Sequence, residues 1–184
     1  IIEPKRNAYL ITKNIRTLVK FNWKKLPPGF TQSIQIAKDQ GFKRIIARKF
    51  AKANQVFNFL QEGSFYWRVV ARNIKTGRQE LSEARRVTLL RDTGVSLFSP
   101  FNGSKTTYTG NKPLIFFNWG KNSLASGYIL EISQNRSFNN IVKRINTSLS
   151  EIAVKNLNKG RYFWRVVSKV SLPGTLYKGN SNIY

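Results

Sequence analysis

Residues 63–70 read GSFYWRVV and residues 160–167 read GRYFWRVV, so a similar eight-residue pattern occurs twice, 97 positions apart. A second match lies upstream in the same order, because the FNW of residues 21–23 recurs 96 positions later. Matches that keep their order over most of a 184-residue chain indicate an internal repeat. The repeat therefore predicts two copies of one domain, residues 1–93 and residues 94–184.

Alternation of apolar and polar residues predicts that both copies consist of β-strands. In the first copy Phe65, Trp67 and Val69 lie on one side of a strand, because side chains alternate with a period of two. Glycine and proline turn signals separate several such short runs. Only residues 42–53 have an apolar spacing that also fits a helix, and the repeat favours a strand or an irregular edge there. The predicted fold class is all-β, with two tandem β-sandwich domains.

The sandwich fold also predicts which aromatic residues fill the two cores. Each copy has two tryptophans at inward positions, where an indole buries about 150–250 Å². The alternative is an exposed aromatic platform for carbohydrate, whose main support a structure with all four tryptophans buried would remove. The predicted core residues are Trp23, Trp67, Trp119, Trp164 and Tyr162.

These motifs resemble a known family. The Phe-x-Trp strand and the string Gly-x-aromatic-aromatic-Trp-Arg-Val resemble tandem fibronectin type III domains. With the Glu/Ser-Pro entry before each copy, they resemble in particular the repeats of bacterial cell-envelope proteins that carry FecR-type or LysM domains. The resemblance implies two fibronectin type III-like sandwiches, a periplasmic or cell-envelope location, and neighbouring domains of a longer chain. It also places Tyr162 at the corner-tyrosine position, whose hydroxyl bonds to the backbone, whereas Phe65 at the equivalent position lacks a hydroxyl.

The composition argues against catalysis. The sequence has no Cys and no His, which removes thiolate chemistry and the usual general base at neutral pH. Its eight acidic residues are scattered, with Glu80 and Glu83 as the closest pair, and no nucleophile elbow or phosphate-binding loop occurs. We therefore predict no enzyme activity, no catalytic residue, no cofactor and no metal site. No apolar run reaches the roughly 18–20 residues of a transmembrane helix, so no transmembrane span is predicted.

The basic charge is the main functional signal. The formal net charge is +24, with 20 basic and 6 acidic residues in positions 1–92 and 12 and 2 in the remainder. Basic edge strands that prevent strand pairing, or the lysine-favouring codon usage of a genome poor in G and C, explain part of this excess. A surface for polyanions explains it more fully. The candidate polyanion-binding residues are Lys43, Arg44, Arg48, Lys49, Lys52, Arg68, Arg72, Arg85 and Arg86.

The alternation also predicts what lies on the outward side of the repeated strand. Arg68 and Arg165 point away from the core, next to the apolar residues of the same stripe, which suits a partner contact. Glu131 lies on the predicted neighbouring strand and is the expected partner of Arg165. The equivalent position in the first copy is Gln35, so the sequence predicts no acidic partner for Arg68.

Together these features predict a non-enzymatic binding and scaffold module of a bacterial cell-envelope protein. Its basic surface would contact an anionic partner: a cell-wall or surface glycan, lipid headgroups or an acidic protein. The alternative is a nonspecific nucleic-acid-binding protein that uses the same basic face. Nucleic acid ranks second because no recognition helix is evident and most aromatic residues are expected in the cores.

Overall fold

The computed structural model describes residues 2–173 and 175–184. The chain divides into two compact units, Ile1–Arg91 and Asp92–Tyr184. The division falls two residues before the one expected from the repeat.

The buried carboxylate of Asp92 explains the position of this boundary. It accepts hydrogen bonds from the Asn122 side-chain amide at 2.8 Å and from the Tyr177 hydroxyl at 3.0 Å, so Asp92 belongs to the second unit. Burial raises the pKa of Tyr177, and the hydrogen bond to the Asp92 carboxylate raises it further.

The strands of the first unit form two sheets. They are β1 (Ala8–Thr12), β2 (Arg16–Asn22), β3 (Phe30–Ala37), β4 (Ile45–Ala51), β5 (Gln55–Gln61), β6 (Gly63–Asn73), β7 (Gln79–Leu81) and β8 (Arg85–Arg91). One sheet has the order β1-β8-β6-β3-β4 with β7 paired to β6, and the other pairs β2 with β5. The pairing of β1 with β8 is parallel, whereas the remaining pairs of this unit are antiparallel.

The core of the first unit lies between these two sheets. Period-two alternation turns Phe21 of β2, Ile36 of β3 and Trp67 of β6 inward, and each is completely buried. The Phe21 and Trp67 rings meet edge to face with centroids 5.0 Å apart, a favourable aromatic geometry.

The strands of the second unit also form two sheets. They are β9 (Leu97–Ser99), β10 (Ile115–Trp119), β11 (Gly127–Ser133), β12 (Ile141–Thr147), β13 (Glu151–Val154), β14 (Phe163–Leu172) and β15 (Thr175–Asn180). One sheet has the order β13-β10-β9 and the other β12-β11-β14-β15. Phe117 and Trp164 repeat the edge-to-face contact at 5.1 Å in a second, separate core.

The segment whose spacing allowed a helix contains an edge strand. Residues 45–51 form β4, which pairs antiparallel with β3 and packs Ala47 and Ala51 against the core. Long-range pairing therefore overrides the helical spacing, as is common for short apolar runs.

The corner tyrosine forms its hydrogen bond. The Tyr162 hydroxyl donates to the backbone oxygen of Asn158 at 3.0 Å. Phe65 takes its place in the first unit, where the Lys38 ammonium lies 4.1 Å from the ring centroid instead.

Within the described residues no helix is long and apolar enough to cross a membrane. The predicted all-β class with two tandem sandwiches is confirmed by the two pairs of sheets and their two cores.

Candidate functional site: the outer face of the first unit

The outer face is the side of the β3–β4–β6 sheet that points away from the core. Three residues stand side by side across its strands, since Gln35 of β3 is in register with Arg48 of β4 and with Arg68 of β6. We call these three residues the Gln35 row. Arg68 Nε donates to Gln35 Oε1 at 2.9 Å, so a neutral amide stands between two cationic side chains.

A groove of about 380 Å³ lies beside this row. Ser33 lies between Phe50 and Val70 in the sheet register, and Thr31 lies opposite Arg72 one row further along. The lining includes Thr31, Ser33, Gln35, Arg48, Phe50 and Arg72.

Two arginines of the groove have guanidinium N–H donors that no acceptor in the described part of the chain uses. Arg48 and Arg72 are exposed, and in the described part of the chain neither guanidinium makes a hydrogen bond or ion pair. Phe50, between them, is 88% exposed. The groove thus offers two guanidinium groups and an aromatic ring to a ligand.

Arg68 is already engaged by the protein. Its guanidinium carbon lies 4.0 Å from the ring centroid of Phe42, which is itself buried. The ring and the Gln35 amide together hold Arg68 at the sheet surface. Sequence reasoning missed this contact. The available signal was the repeat, because Phe42 and Phe138 occupy equivalent positions 96 residues apart.

A side-chain-capped turn places Phe42 under Arg68. Phe42 has a φ of 56°, in the left-handed region that non-glycine residues adopt rarely. The Asp39 carboxylate holds the turn by accepting from the backbone N–H of Lys43 at 2.9 Å and of Arg44 at 2.7 Å. The Lys43 hydrogen bond is the main cause that lowers the pKa of Asp39. The backbone and charge of Arg44 lower it too, whereas partial desolvation opposes them.

The candidate residues between positions 43 and 52 do not form one continuous surface. Arg48 faces outward, but Lys49 is in register with the inward Ile34 and its Nζ donates to the backbone oxygen of Phe57 at 2.9 Å. Lys43 and Arg44 lie in the exposed turn before β4, and Lys52 is exposed just after it. Consecutive strand residues face opposite sides, which divides the run.

The Arg85–Arg86 pair is divided in the same way. Arg86 is exposed on the outer side, in register with Tyr66, and donates from Nη2 to Ser64 Oγ at 3.1 Å. Arg85 is in register with the buried Trp67 and is half-buried. Of the nine candidates, Arg48, Arg68, Arg72 and Arg86 share the outer face.

The second unit has an equivalent row with a different centre. Glu131 accepts from Arg144 on β12 and from Arg165 on β14, both at 2.8 Å. The predicted pair of Glu131 with Arg165 is therefore present. Arg144 is an additional partner, which its position 96 residues after Arg48 could have indicated. We call these three residues the Glu131 row. Arg165 also lies 4.1 Å from the centroid of Phe138.

The groove has no matching chemistry in the second unit. Asn146 stands at the position of Phe50, and Lys169 stands at the position of Arg72. The Lys169 ammonium donates to Asn146 Oδ1 at 2.6 Å, so these two side chains bond to each other.

Two further expectations about the aromatic and apolar residues change. All four tryptophans are buried, with at most 5% exposure, so an exposed tryptophan platform is wrong. Phenylalanines are exposed instead, among them Phe50 and Phe116. The apolar residues beside Arg68 and Arg165 on the outward side of the repeated strand are also less accessible than expected, because Val70 and Val167 are buried.

The remaining chemistry of the described residues is sparse. No three acidic side chains in the described segments lie close enough together to hold a metal ion. Glu83 is paired with Arg6 at 2.6 Å, and both side chains are exposed.

Comparison with known proteins gives one match, and it covers part of the chain. No family model matches it. An uncharacterized protein of Treponema pallidum (strain Nichols) is 30% identical over 110 residues, which is 60% of this chain and 16% of that protein. The match thus covers only a small part of the relative.

Two solved structures show a distant likeness to the chain. The fibronectin(III)-like modules of Clostridium thermocellum CbhA show 11% identity and a TM-score of 0.43, covering 100% of this chain and 88% of theirs. The FN1–FN3 domains of chicken CNTN1 show 11% identity and a TM-score of 0.40, covering 98% of this chain and 62% of theirs. The fold class of the chain, all-β with two tandem β-sandwiches, follows from its own sheets.

Proposed function

We propose that the chain is a non-enzymatic binding and scaffold module of a bacterial cell-envelope protein, whose basic outer face in the first unit contacts an anionic partner. The observation that carries this proposal is the difference between equivalent cationic side chains. Arg48 and Arg72 retain their guanidinium donors at a groove, whereas the matching Arg144 and Lys169 are bonded within the second unit. Guanidinium groups without internal partners are well suited to carboxylate, sulfate or phosphate.

The envelope location and the association with FecR-type or LysM domains are the finer part of the proposal. They are supported by the resemblance of the Gly-x-aromatic-aromatic-Trp-Arg-Val string to repeats of envelope proteins. Fractionation of the source cells, followed by detection of the full-length protein with an antibody, tests the location. Recovery in the envelope fraction supports it, and recovery in the cytosol contradicts it.

A second candidate, nonspecific nucleic-acid binding, is favoured by one observation. Phe50 is 88% exposed and lies between Arg48 and Arg72 on the same face, and a stacking ring among cations suits unpaired bases. The same experiment must therefore separate nucleic acid from other polyanions.

The test compares two double variants of the intact chain with equal charge loss. R48Q/R72Q removes the two groove arginines, and R144Q/K169Q removes the matching cations of the second unit. We expect the first variant to elute from heparin at clearly lower salt, and the second to elute close to the wild type. Equal shifts would show that total charge, rather than the outer face, governs binding.

Titration of duplex and single-stranded DNA over a range of salt concentrations completes the test. Each lost phosphate contact lowers the slope of log affinity against log salt by about 0.7–0.9. Tight DNA binding with a steep slope, together with no affinity for envelope preparations, would favour the nucleic-acid function over the proposed one.

A further inference from the structure

We infer that the groove beside the Gln35 row is a binding subsite for an acidic sugar, a pyranose carrying a carboxylate within a glycan chain. The inference rests on the proposed function, in which the outer face of the first unit binds an anionic partner, and it names the chemical class of that partner. It concerns the groove between Phe50, Val70 and Arg72, and it does not require the other basic residues of the unit.

The size of the groove fits a small ligand rather than a broad polymer surface. Its volume of about 380 Å³ lies near the lower end of ordinary ligand pockets, roughly 300–1,000 Å³. The sheet register brings side chains from four strands, β3, β4, β6 and β7, to this one concave region. Rigid strands, rather than loops, therefore hold the contacting groups.

Most of the polar lining is uncharged. Thr31 and Ser33 contribute hydroxyls, and Gln35 and Gln79 contribute amides, all from outward strand positions. Hydroxyl and amide groups both donate and accept, which matches the hydroxyls of a sugar. A chain of phosphates would favour a continuous series of cations instead.

The groove also has an apolar wall and floor. Phe50 is almost fully exposed, while Val70, in register with Ser33 beside it, is buried below the surface. A pyranose presents C–H groups on one face, and covering the Phe50 ring with that face removes apolar surface from water. The ring is the most exposed of the large hydrophobic side chains in the described residues, so it has surface to lose.

Arg48 is placed to select the carboxylate. It lies two residues from Phe50 on the same side of β4, a separation of about 6.8 Å along the strand. A sugar stacked on Phe50 therefore brings a substituent within reach of the guanidinium, which binds a carboxylate through two parallel hydrogen bonds. Arg72, two strands away, is available to the next acidic sugar.

The second unit shows what the groove would lose without these residues. Asn146 replaces the ring of Phe50, and Glu131 engages Arg144, the counterpart of Arg48, so that this guanidinium is already paired. The subsite is therefore expected in the first unit and not in the second.

Single-stranded nucleic acid fits the groove less well. Proteins that bind it stack successive bases on several aromatic rings, and the residues lining this groove include one ring, Phe50. Nucleic acid remains an outcome of the test below.

The test is calorimetric titration of the intact chain with three probes. Tetragalacturonate carries carboxylates on pyranose rings, cellotetraose is a neutral oligosaccharide of the same length, and an oligothymidylate of ten nucleotides represents nucleic acid. The variants are Phe50→Ala and Arg48→Gln. The control is Phe116→Ala, which removes a ring that is 63% exposed on the second unit. Because Phe50 is so exposed, its replacement should leave the melting temperature nearly unchanged.

We expect tetragalacturonate to bind the wild type and the Phe116→Ala variant equally. Phe50→Ala and Arg48→Gln should each weaken this binding at least tenfold, and cellotetraose should bind much more weakly than tetragalacturonate. No tetragalacturonate binding, or binding that does not depend on Phe50, overturns the inference. If R48Q/R72Q still elutes early from heparin in that case, the proposed function stands without it.

Two other outcomes are equally decisive. Tighter binding of the oligothymidylate, lost in Phe50→Ala, would overturn the acidic-sugar inference in favour of nucleic acid. Absence of both the heparin shift and tetragalacturonate binding would remove the proposed function as well.

Discussion

The Gln35 row and the Glu131 row occupy the same place in two copies of one fold, yet they leave the arginines in different states. In the second unit one carboxylate accepts from two guanidinium groups and is almost completely buried by them. In the first unit Gln35 accepts from Arg68, and the Arg48 guanidinium has no hydrogen-bonding partner in the described part of the chain. At the centre of the row, Gln in place of Glu thus leaves one guanidinium available to an anion, whereas the row of the second unit is internally paired.

The comparison also shows which features belong to the fold. Both units place a phenylalanine under the arginine of the long strand, with guanidinium-to-ring distances of 4.0 and 4.1 Å, and both hold that phenylalanine at positive φ. The aromatic support is therefore common to both copies, and the charge at the centre of the row is what varies.

The largest expected effect is on stability, when the centre of each row is removed. Glu131→Leu should lower the free energy of unfolding by about 2–3 kcal/mol, because Arg165 is largely buried and both arginines lose their acceptor. Gln35→Leu should cost about 1 kcal/mol, because Arg68 loses one neutral hydrogen bond and retains the Phe42 ring. Urea unfolding of the intact chain, followed by tryptophan fluorescence, measures both. Equal losses would mean that the two rows are energetically alike.

Exchanging the centre of the row should change binding more than stability. Gln35→Glu gives the first unit the carboxylate of the second, which should pair with Arg68 and Arg48. We expect roughly tenfold weaker binding to heparin, while exposed pairing keeps the change in stability within about 1 kcal/mol. The matched variant is Glu131→Gln, which frees cationic donors in the second unit and should increase heparin retention. Unchanged retention in both variants would show that the rows do not control the contact.

The smallest expected effect is local and depends on pH. The lowered pKa of Asp39 means that its carboxylate form stabilises the turn before β4 above the ordinary value of 3.8, and that this contribution is lost as pH falls through the lowered pKa. In the second unit Asn135 accepts from the Asn139 amide at 3.0 Å and does not titrate. Amide chemical shifts of Lys43 and Arg44 should therefore move on acidification, from about pH 6 to about pH 2, while that of Asn139 moves less. Equal movement in both units would contradict this account.

Much of the fold can be read from the sequence because a period of two is a local property. It places Phe21, Trp67 and their counterparts Phe117 and Trp164 inward without knowledge of their neighbours. The same rule placed Arg165 outward and led to Glu131 as its partner. It also separates Arg48 from Lys49, because consecutive residues of β4 face opposite sides.

Other parts of the candidate site depend on contacts that no local pattern contains. The contact of Phe42 with Arg68 joins residues 26 positions apart through a turn at positive φ. Phe50 is 88% exposed because it lies on an edge strand, with Ser33 and then Val70 beside it across the sheet on one side only. Aromatic residues were expected mainly in the cores, and no sequence signal marked Phe50 as different.

The sequence by itself determined the repeat, the all-β class and the inward tryptophans, because spacing, alternation and burial of apolar side chains act over a few residues. Only the tertiary structure decided that Arg48 and Arg72 retain free guanidinium donors while Arg144 does not, because that depends on which side chains the strand register brings within hydrogen-bonding distance. The net charge of +24 does not say where cations gather. The register between strands, set by long-range pairing, places the accessible guanidinium groups of Arg48 and Arg72 at the same groove.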